Sequence, residues 1–305
     1  MSRLPFLENA KTGENGWWRY LLTAVGSLGL ASIAAGVLIA IFVAVYTLLY
    51  FPGMTTALLN SLISISNPLF LILLTGVTYA FSFVLFYLFV RFLHHKNFKI
   101  LLNYGENFRW KMLFKGAFLW FLILCLLTLP DLLANPGAYQ FFPDPKAFTI
   151  LLILSFLAFP IQATFEEILF RGYLMQAFSL ISEKPVYPLL ITSLLFGLVH
   201  FFNGSNTDQG ISIVISTFII GLMLGTITLA DNGIETAAGV HIVNNLFVAI
   251  IFNSADSGLP GLPSLITVPS SNPYTGIPFL VLAMGLMLII LYWNRKNDLR
   301  GVFSR

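Results

Sequence analysis

The sequence predicts an all-α polytopic membrane protein with about eight transmembrane helices. Only 29 of its 305 residues are Asp, Glu, Lys or Arg, whereas a soluble chain of this length would carry about 76. The apolar AVILMFWYC fraction is 57% and the chain contains 30 Phe, which is more apolar side chain than one soluble core can bury. The lipid bilayer is therefore an expected partner. Nucleic acid is not, because the net charge of +3 is small.

Eight apolar runs are long enough to be predicted as spanning helices, since a bilayer needs about 20 mostly apolar residues. The first run is too long for the apolar part of a signal peptide and has no clear small-residue cleavage site, so we expect it to remain as an anchor. The runs are residues 21–50, 69–92, 112–133, 148–170, 187–202, 211–230, 234–252 and 277–293.

These apolar runs divide the chain into three predicted regions. Residues 1–147 are predicted to form an N-terminal transmembrane region of three helices with a basic loop. Residues 148–252 are predicted to form a helical core, and residues 253–305 an outer loop, a last transmembrane helix and a basic tail.

The basic residues predict the orientation of the chain. Lys146 is the only one of 16 that falls on one side of the predicted spans. By the positive-inside rule, the side with the other basic residues is cytoplasmic and holds both termini. These residues are Arg3, Lys11, Arg19, Arg91, Lys96, Lys99, Arg109, Lys111, Lys115, Arg171, Lys184, Arg295, Lys296, Arg300 and Arg305.

Polar residues are concentrated inside three of the apolar runs. Ionisable side chains within a bilayer are costly, and they therefore mark functional sites. The fourth run contains Glu166, Glu167 and Arg171, and the fifth contains His200. The seventh contains the pair His241 and Asn245, which share one helix face. The remaining histidines, His94 and His95, lie in the basic loop and are expected to be solvated.

Helix geometry predicts that these clusters meet in the cytoplasmic half of the bilayer. A tight turn near Glu183 and Lys184 makes the fourth and fifth helices antiparallel. Glu166 and Glu167 are then level with His200. The depth of His241 matches only if the end of the fourth helix projects beyond the membrane. We therefore expect that projection, with the site towards the cytoplasm.

The side chains in these clusters suggest different roles. Glu167 and Arg171 form an i,i+4 pair in the favourable order, so Arg171 can neutralise Glu167. Glu166 points about 100° away and is left to act as a general base or acid, with His200 sharing the water or its proton. His241 and Asn245 offer N–H donors for a developing oxyanion.

Together these residues resemble the CPBP family of intramembrane proteases, which includes the Rce1-type CAAX prenyl endopeptidases and bacterial relatives. Three motifs occur in order: Glu-Glu-x-x-x-Arg from Glu166 to Arg171, Phe-x-x-x-His from Phe196 to His200, and His-x-x-x-Asn from His241 to Asn245. The resemblance covers residues 148–252 and implies hydrolysis of a peptide bond of a membrane-associated substrate. It also favours a location in a bacterial cell membrane.

The catalytic residues predicted on this basis are Glu166, His200, His241 and Asn245, with Glu167 and Arg171 in support. We expect catalysis without a metal or another cofactor. The alternative is a zinc ion held by Glu166, His200 and His241 with a fourth position open for water.

Two non-proteolytic functions remain as alternatives. Buried Glu, His and Arg also form the relays of proton-coupled transporters, although no matched pair of broken helices in two repeats is evident. A membrane scaffold or immunity protein could use the same fold for binding. Gly221 and Gly225 are expected to allow close helix packing, with dimerisation as the alternative.

Overall fold

The computed structural model describes residues 4–50, 67–105, 107–141, 144–182, 184–268 and 272–303. These residues form ten helices and three short strands. The helices are α1 Pro5–Glu8, α2 Trp17–Tyr50, α3 Pro68–Phe92, α4 Trp110–Ala134, α5 Pro145–Ser179, α6 Val186–Leu198, α7 Thr207–Asp231, α8 Glu235–Ile251, α9 Gly276–Tyr292 and α10 Lys296–Phe303. The strands are β1 Gln140–Phe141, β2 Phe252–Ser254 and β3 Ile266–Val268.

The all-α membrane class is confirmed. Among the described residues, six helices are long and apolar enough to cross a membrane, namely α2 to α7, with α6 counted together with the 3-10 turn that follows it. The apolar helices α8 and α9 are shorter. Every one of the eight predicted apolar runs is therefore a helix, and several long apolar helices in one chain make this an integral membrane protein.

The starts of several helices follow from local sequence. Asn67 and Asp144 each precede a proline, and their side chains accept hydrogen bonds from the free backbone N–H groups at the start of α3 and α5. Asn206 caps α7 in the same way. These are the residue types that satisfy the unpaired donors of a helix start, and proline fits the first helical turn.

Helix α5 is longer than the sequence predicted and changes its geometry in the middle. It has 35 residues, which at 1.5 Å per residue is about 52 Å. That length exceeds the hydrocarbon thickness of about 30 Å. Residues Ile168–Leu174 form a π-helical segment within it, a feature often found at functional sites. The predicted turn after α5 includes Glu183, which lies outside the described residues.

Close glycine contacts bring the core helices together. A Cβ atom at Gly239 of α8 would lie 2.0 Å from the Leu113 carbonyl of α4. One at Gly116 of α4 would lie 2.4 Å from the Thr236 carbonyl of α8. The two backbones therefore touch in a way that only glycine permits. This contact fixes the position of α8, which contains His241.

The predicted close packing at Gly221 is also found. A Cβ atom at this position of α7 would lie 3.1 Å from Ser193 Cα of α6. One at Gly225 would lie 2.5 Å from Leu189 Cδ1, also on α6. Both glycines are therefore used in packing α7 against α6 within the chain.

The expectation that His94 is solvated is wrong. Its side chain is fully buried, because the segment before α2 folds back over the loop after α3 and Glu14 N–H donates to the His94 carbonyl at 2.8 Å. His94 Nδ1 lies 2.7 Å from the Glu14 carbonyl, and Nε2 lies 2.7 Å from the hydroxyl of Tyr173 on α5. Burial lowers the pKa of His94. His95 is exposed, as expected.

The predicted outer loop contains two short strands. Strand β3 pairs in parallel with β2 and antiparallel with β1, which gives the sheet order β1-β3-β2. This small sheet joins the connection between α4 and α5 to the chain that follows α8. It therefore lies at the far end of the bundle from the loop after α3.

Candidate active site

Glu166 and Glu167 are the last residues of α5 before its π-helical segment, and Arg171 lies within that segment. All three are buried, with exposed fractions of 3%, 0% and 0%. Charged side chains are almost never buried this deeply unless they are paired. The segment therefore places three charges in an apolar interior, where their partners determine what they can do.

Glu167 is the central acceptor of the cluster. Its Oε1 atom accepts from Arg171 Nη1 at 2.9 Å and lies 2.7 Å from His241 Nδ1 on α8. The predicted pairing of Glu167 with Arg171 is therefore present. Because an ionised carboxylate can only accept, the hydrogen on the second contact belongs to the imidazole ring. Glu167 thus orients both Arg171 and His241.

Arg171 has two further contacts that hold it in place. Its Nη2 donates to the Gly221 carbonyl at 3.3 Å, which connects α5 to α7. Its guanidinium lies 4.3 Å from the ring centroid of Phe196 on α6, within the range of a cation–π interaction. Arg171 therefore acts as a fixed positive charge among three helices.

Glu166 has a different set of partners. Its Oε1 accepts from the Tyr79 hydroxyl of α3 at 2.6 Å and from Gln162 Nε2 at 3.1 Å. Its Oε2 is buried, has no hydrogen-bond partner among the described residues, and lies 3.6 Å from His241 Nε2. One oxygen of Glu166 is therefore held by two donors, while the other faces the histidine.

His200 joins the cluster through Phe196. The Phe196 ring centroid lies 4.7 Å from that of His200 and 5.6 Å from that of His241. His200 Nδ1 is 2.6 Å from the Phe196 carbonyl. If that nitrogen carries the proton, Nε2 is left as the free acceptor. Among the described residues, no hydrogen bond joins His200 to Glu166 directly.

The two asparagines on α8 differ in their surroundings. Asn244 Oδ1 accepts from Trp120 Nε1 of α4 at 3.2 Å, which connects α8 to α4. Asn245 lies one turn after His241 and is partly buried. Its Oδ1 accepts a weak hydrogen bond from Asn244 Nδ2 at 3.5 Å. Among the described residues, no hydrogen bond occupies the amide nitrogen of Asn245.

The residues do not fit the alternative zinc site as they are arranged here. Within the described parts of the chain, no three His, Cys, Asp or Glu side chains converge as a metal ion requires. Glu166 Oε2 and His241 Nε2 lie 3.6 Å apart, whereas the His200 ring packs against Phe196. No step of the reaction proposed below passes through a metal.

Sequence reasoning missed three residues that contact the site. Gln162 lies four residues before Glu166 on the same helix, and its i,i+4 spacing is a signal that could have identified it. Tyr79 and Trp120 lie on α3 and α4. No spacing in the sequence relates either of them to the polar motifs, so only the packing of helices reveals their contacts.

Comparison with known proteins finds a family model and a bacterial relative that match the part of the chain containing this site. Residues 147–247 match the family model described as type II CAAX prenyl endopeptidase Rce1-like. The chain is also 28% identical over 288 residues to the protein named "Uncharacterized protein YyaK" of Bacillus subtilis (strain 168). That alignment covers 93% of this chain and 95% of the relative. No solved structure is significantly similar to this chain.

The matched region includes all three motifs on which the resemblance was based. Glu166, Glu167, Arg171, His200, His241 and Asn245 all lie within it. The family supports a protease-type enzyme, and the roles of individual side chains remain predictions. Over residues 147–247, this chain is therefore similar to the Rce1-like family.

Proposed function

We propose that this protein is an intramembrane endopeptidase that hydrolyses a peptide bond of a membrane-associated protein or peptide. The observation that carries the proposal is the environment of Glu166, a buried carboxylate with one oxygen held by two donors and the other unpartnered 3.6 Å from His241 Nε2. A buried, oriented carboxylate with one free oxygen is suited to accept a proton from water.

In the proposed reaction, a water molecule lies against Glu166 Oε2 and His200. An O–H bond of water breaks, its proton moves to Glu166, and the oxygen forms a bond to the carbonyl carbon of the substrate. The carbonyl π electrons move to its oxygen and give a tetrahedral oxyanion. When that oxyanion collapses, the C–N bond breaks and the proton held by Glu166 passes to the leaving amine. Glu166 thus acts first as base and then as acid.

His241 and Asn245 are proposed to stabilise the oxyanion. Nδ1 of His241 is engaged by Glu167, so only Nε2 remains to face a substrate. Nε2 can donate to the oxyanion when both ring nitrogens carry a hydrogen. The amide of Asn245, one turn further along α8, supplies a second donor. Donors aimed at developing charge in a water-poor site are among the strongest contributors to catalysis.

The first substrate class to test is a peptide with a prenylated carboxy-terminal cysteine motif, because the matched family is described as a CAAX prenyl endopeptidase. A lipid-modified peptide also suits a site built from membrane helices. A matched peptide without the prenyl group shows whether the lipid is required. Peptides extracted from the parent cell membrane extend the test to other membrane-associated substrates.

The proposal is tested by replacing Glu166 with glutamine, which keeps the shape and removes the base. Purified Glu166→Gln in lipid nanodiscs should lose cleavage of all these substrates, while its helical content and melting temperature stay near those of the parent protein. Glu14→Gln is the matched control, since that side chain is 57% exposed. Cleavage by Glu166→Gln within a few-fold of the parent would rule out the mechanism. Full cellular function of the variant would instead favour a scaffold or immunity role.

Catalysis is proposed to need no metal. Elemental analysis of active, chelator-treated protein, measured together with its turnover, is the test. Activity should persist without bound metal. About one tightly held zinc per chain, with activity lost on stripping and restored by zinc, would replace the glutamate mechanism with a metal-based one.

The site is proposed to face the cytoplasmic half of a bacterial cell membrane, with both termini in the cytoplasm. The distribution of basic residues supports this orientation, and the bacterial relative supports the location. Compartment-sensitive reporters fused after Lys99 and after Gly261 should score cytoplasmic and external, respectively. A reversed pair of results would contradict the orientation.

A further inference from the structure

Tyr79 belongs to none of the three motifs, yet among the described residues it makes the shortest hydrogen bond to the proposed base. Its hydroxyl donates to Glu166 Oε1 at 2.6 Å. It lies on α3, a helix outside the region that matches the family. Gln162, one turn before Glu166 on α5, donates to the same oxygen at 3.1 Å. Two donors from two helices therefore converge on one oxygen of a buried carboxylate.

The packing of α3 against α5 fixes the position of Tyr79. A Cβ atom at Gly76, three residues before Tyr79, would lie 2.9 Å from Ala158 Cβ of α5, so the two helices are in close contact at that level. The Tyr79 ring packs edge-on against Phe165, with centroids 5.5 Å apart. Because the helix is fixed at Gly76 and the ring is fixed by Phe165, the Tyr79 hydroxyl has little freedom to move away from Glu166.

The consequence concerns the other oxygen of Glu166. A carboxylate held at Oε1 by two donors cannot rotate freely, so Oε2 is kept towards His241 Nε2 at 3.6 Å. That oxygen has no hydrogen-bond partner among the described residues. We propose that Tyr79, assisted by Gln162, is a positioning residue that assigns the proton-accepting role to Oε2. This inference rests on the proposed function of Glu166.

Several charged or titratable groups surround this arrangement, and each bears on how the test is read. Tyr79 faces Glu166 from α3, and Glu167 with Arg171 lie beside it on α5. His241 faces it from α8, and His200, two residues after α6, packs against Phe196. Of these groups, only the tyrosine hydroxyl is removed by Tyr79→Phe, so a change in the pH profile of that variant reports the lost hydrogen bond.

The experiment compares the full-length parent protein with Tyr79→Phe, Glu166→Gln and the matched control Tyr87→Phe in nanodiscs. Tyr87 lies on the same helix, is 45% exposed and packs against Phe98. The probe is the prenylated peptide, or the cleaved membrane peptide if the prenylated one is not cut. Initial rates are measured against substrate concentration and pH, with the melting temperature of each variant.

We expect kcat of Tyr79→Phe to fall by about tenfold to a hundredfold, because misplacing a catalytic group by about 1 Å can cost about a hundredfold in rate. KM should stay near the parent value. The pH profile of kcat should also change, because the proposed base loses one of the two donors to its Oε1. A variant with only a reduced folded fraction would lose activity equally at all pH values. Tyr87→Phe should match the parent protein.

Two outcomes would overturn the inference, and they can be told apart. If Glu166→Gln is inactive while Tyr79→Phe keeps the parent kcat and pH profile, the positioning role is wrong and the proposed function stands. If the parent protein cleaves no probe, or Glu166→Gln cleaves as the parent does, the proposed function fails and the positioning role fails with it. Gln162→Met adds a second test, with a smaller loss of kcat expected because its bond is longer.

Discussion

Two buried glutamates of this protein each pair with an arginine, and the comparison between them separates a structural ion pair from a candidate site. Glu235 begins α8 and has an exposed fraction of 0%. Its Oε1 accepts from the backbone N–H and Nε of Arg109 and from Asn103 Nδ2, while its Oε2 accepts from Arg109 Nη2. Both of its oxygens are therefore satisfied.

The cluster around Glu167 is equally buried but incompletely satisfied. Glu167 Oε2, Glu166 Oε2 and Arg171 Nε all lack a hydrogen-bond partner among the described residues. A buried polar atom without a partner costs free energy, so such atoms are retained where they serve another purpose. The two carboxylates are equally buried and each pairs with an arginine, so the difference between them lies in the second oxygen, which is bonded in Glu235 and unpartnered in Glu167.

The largest expected effect comes from neutralising each glutamate in turn. Glu167→Gln leaves Arg171 as an uncompensated buried charge, which should cost about 3–5 kcal/mol of stability. Turnover should fall by about a hundredfold to a thousandfold, since His241 loses the carboxylate that orients its ring at the proposed oxyanion site. Thermal melting in detergent and the rate per folded molecule are the measurements.

Glu235→Gln is the matched variant for this comparison. It should lose less stability, because the Arg109 side chain is 34% exposed and water can solvate it. Its turnover per folded molecule should stay near the parent value. Equal losses of turnover in the two variants would show that the distinction between the two clusters is wrong.

A smaller effect is expected from the contact that places α8. Gly239→Ala puts a methyl group against the Leu113 carbonyl, and overpacking of this kind costs about 1–3 kcal/mol. Because His241 lies two residues further on, activity per folded molecule should fall as well. Gly285→Ala on α9 is the control, since a Cβ atom there meets nothing within 4 Å. Unchanged melting and activity in Gly239→Ala would mean that this contact does not position the site.

The smallest expected effect is the change of stability with pH caused by Lys96. This buried lysine lies at the end of the bundle that carries the N-terminal segment. Its ammonium donates to the Ala10 carbonyl, Asn15 Oδ1 and the Tyr20 hydroxyl, and burial lowers its pKa from 10.5 to about 8. Between those values the unfolded chain binds a proton that the folded protein does not, so this residue makes stability rise with pH from about 8 to 10.5.

The measurement for Lys96 is the melting temperature of the parent protein and of Lys96→Met at pH 7 and pH 10. The melting temperature of the parent relative to that of the variant should increase by a few degrees towards pH 10. Lys99→Met is the control, because Lys99 is exposed. A difference that stays constant or shrinks with pH would contradict the assignment.

The sequence predicted most of the helical architecture and only part of the site. Eight apolar runs became helices because apolar length alone determines which segments suit a bilayer. The pairing of Glu167 with Arg171 was predictable because both lie on one helix, where an i,i+4 spacing fixes their proximity. Gln162 and Glu166 have the same spacing, so that contact was within reach of the same reasoning.

The contacts between helices were decided by tertiary structure alone. The bonds of Tyr79 to Glu166, of Trp120 to Asn244 and of His241 to Glu167 depend on how α3, α4 and α8 are rotated and how closely they approach their neighbours. The burial of His94 depends on the N-terminal segment folding over it. A helix that faces lipid on one side and protein on the other is apolar on both sides. The pattern of apolar residues therefore determines neither how the helix is rotated nor which helix packs beside it. Side-chain packing and backbone contact at residues such as Gly76 and Gly239 supply that information.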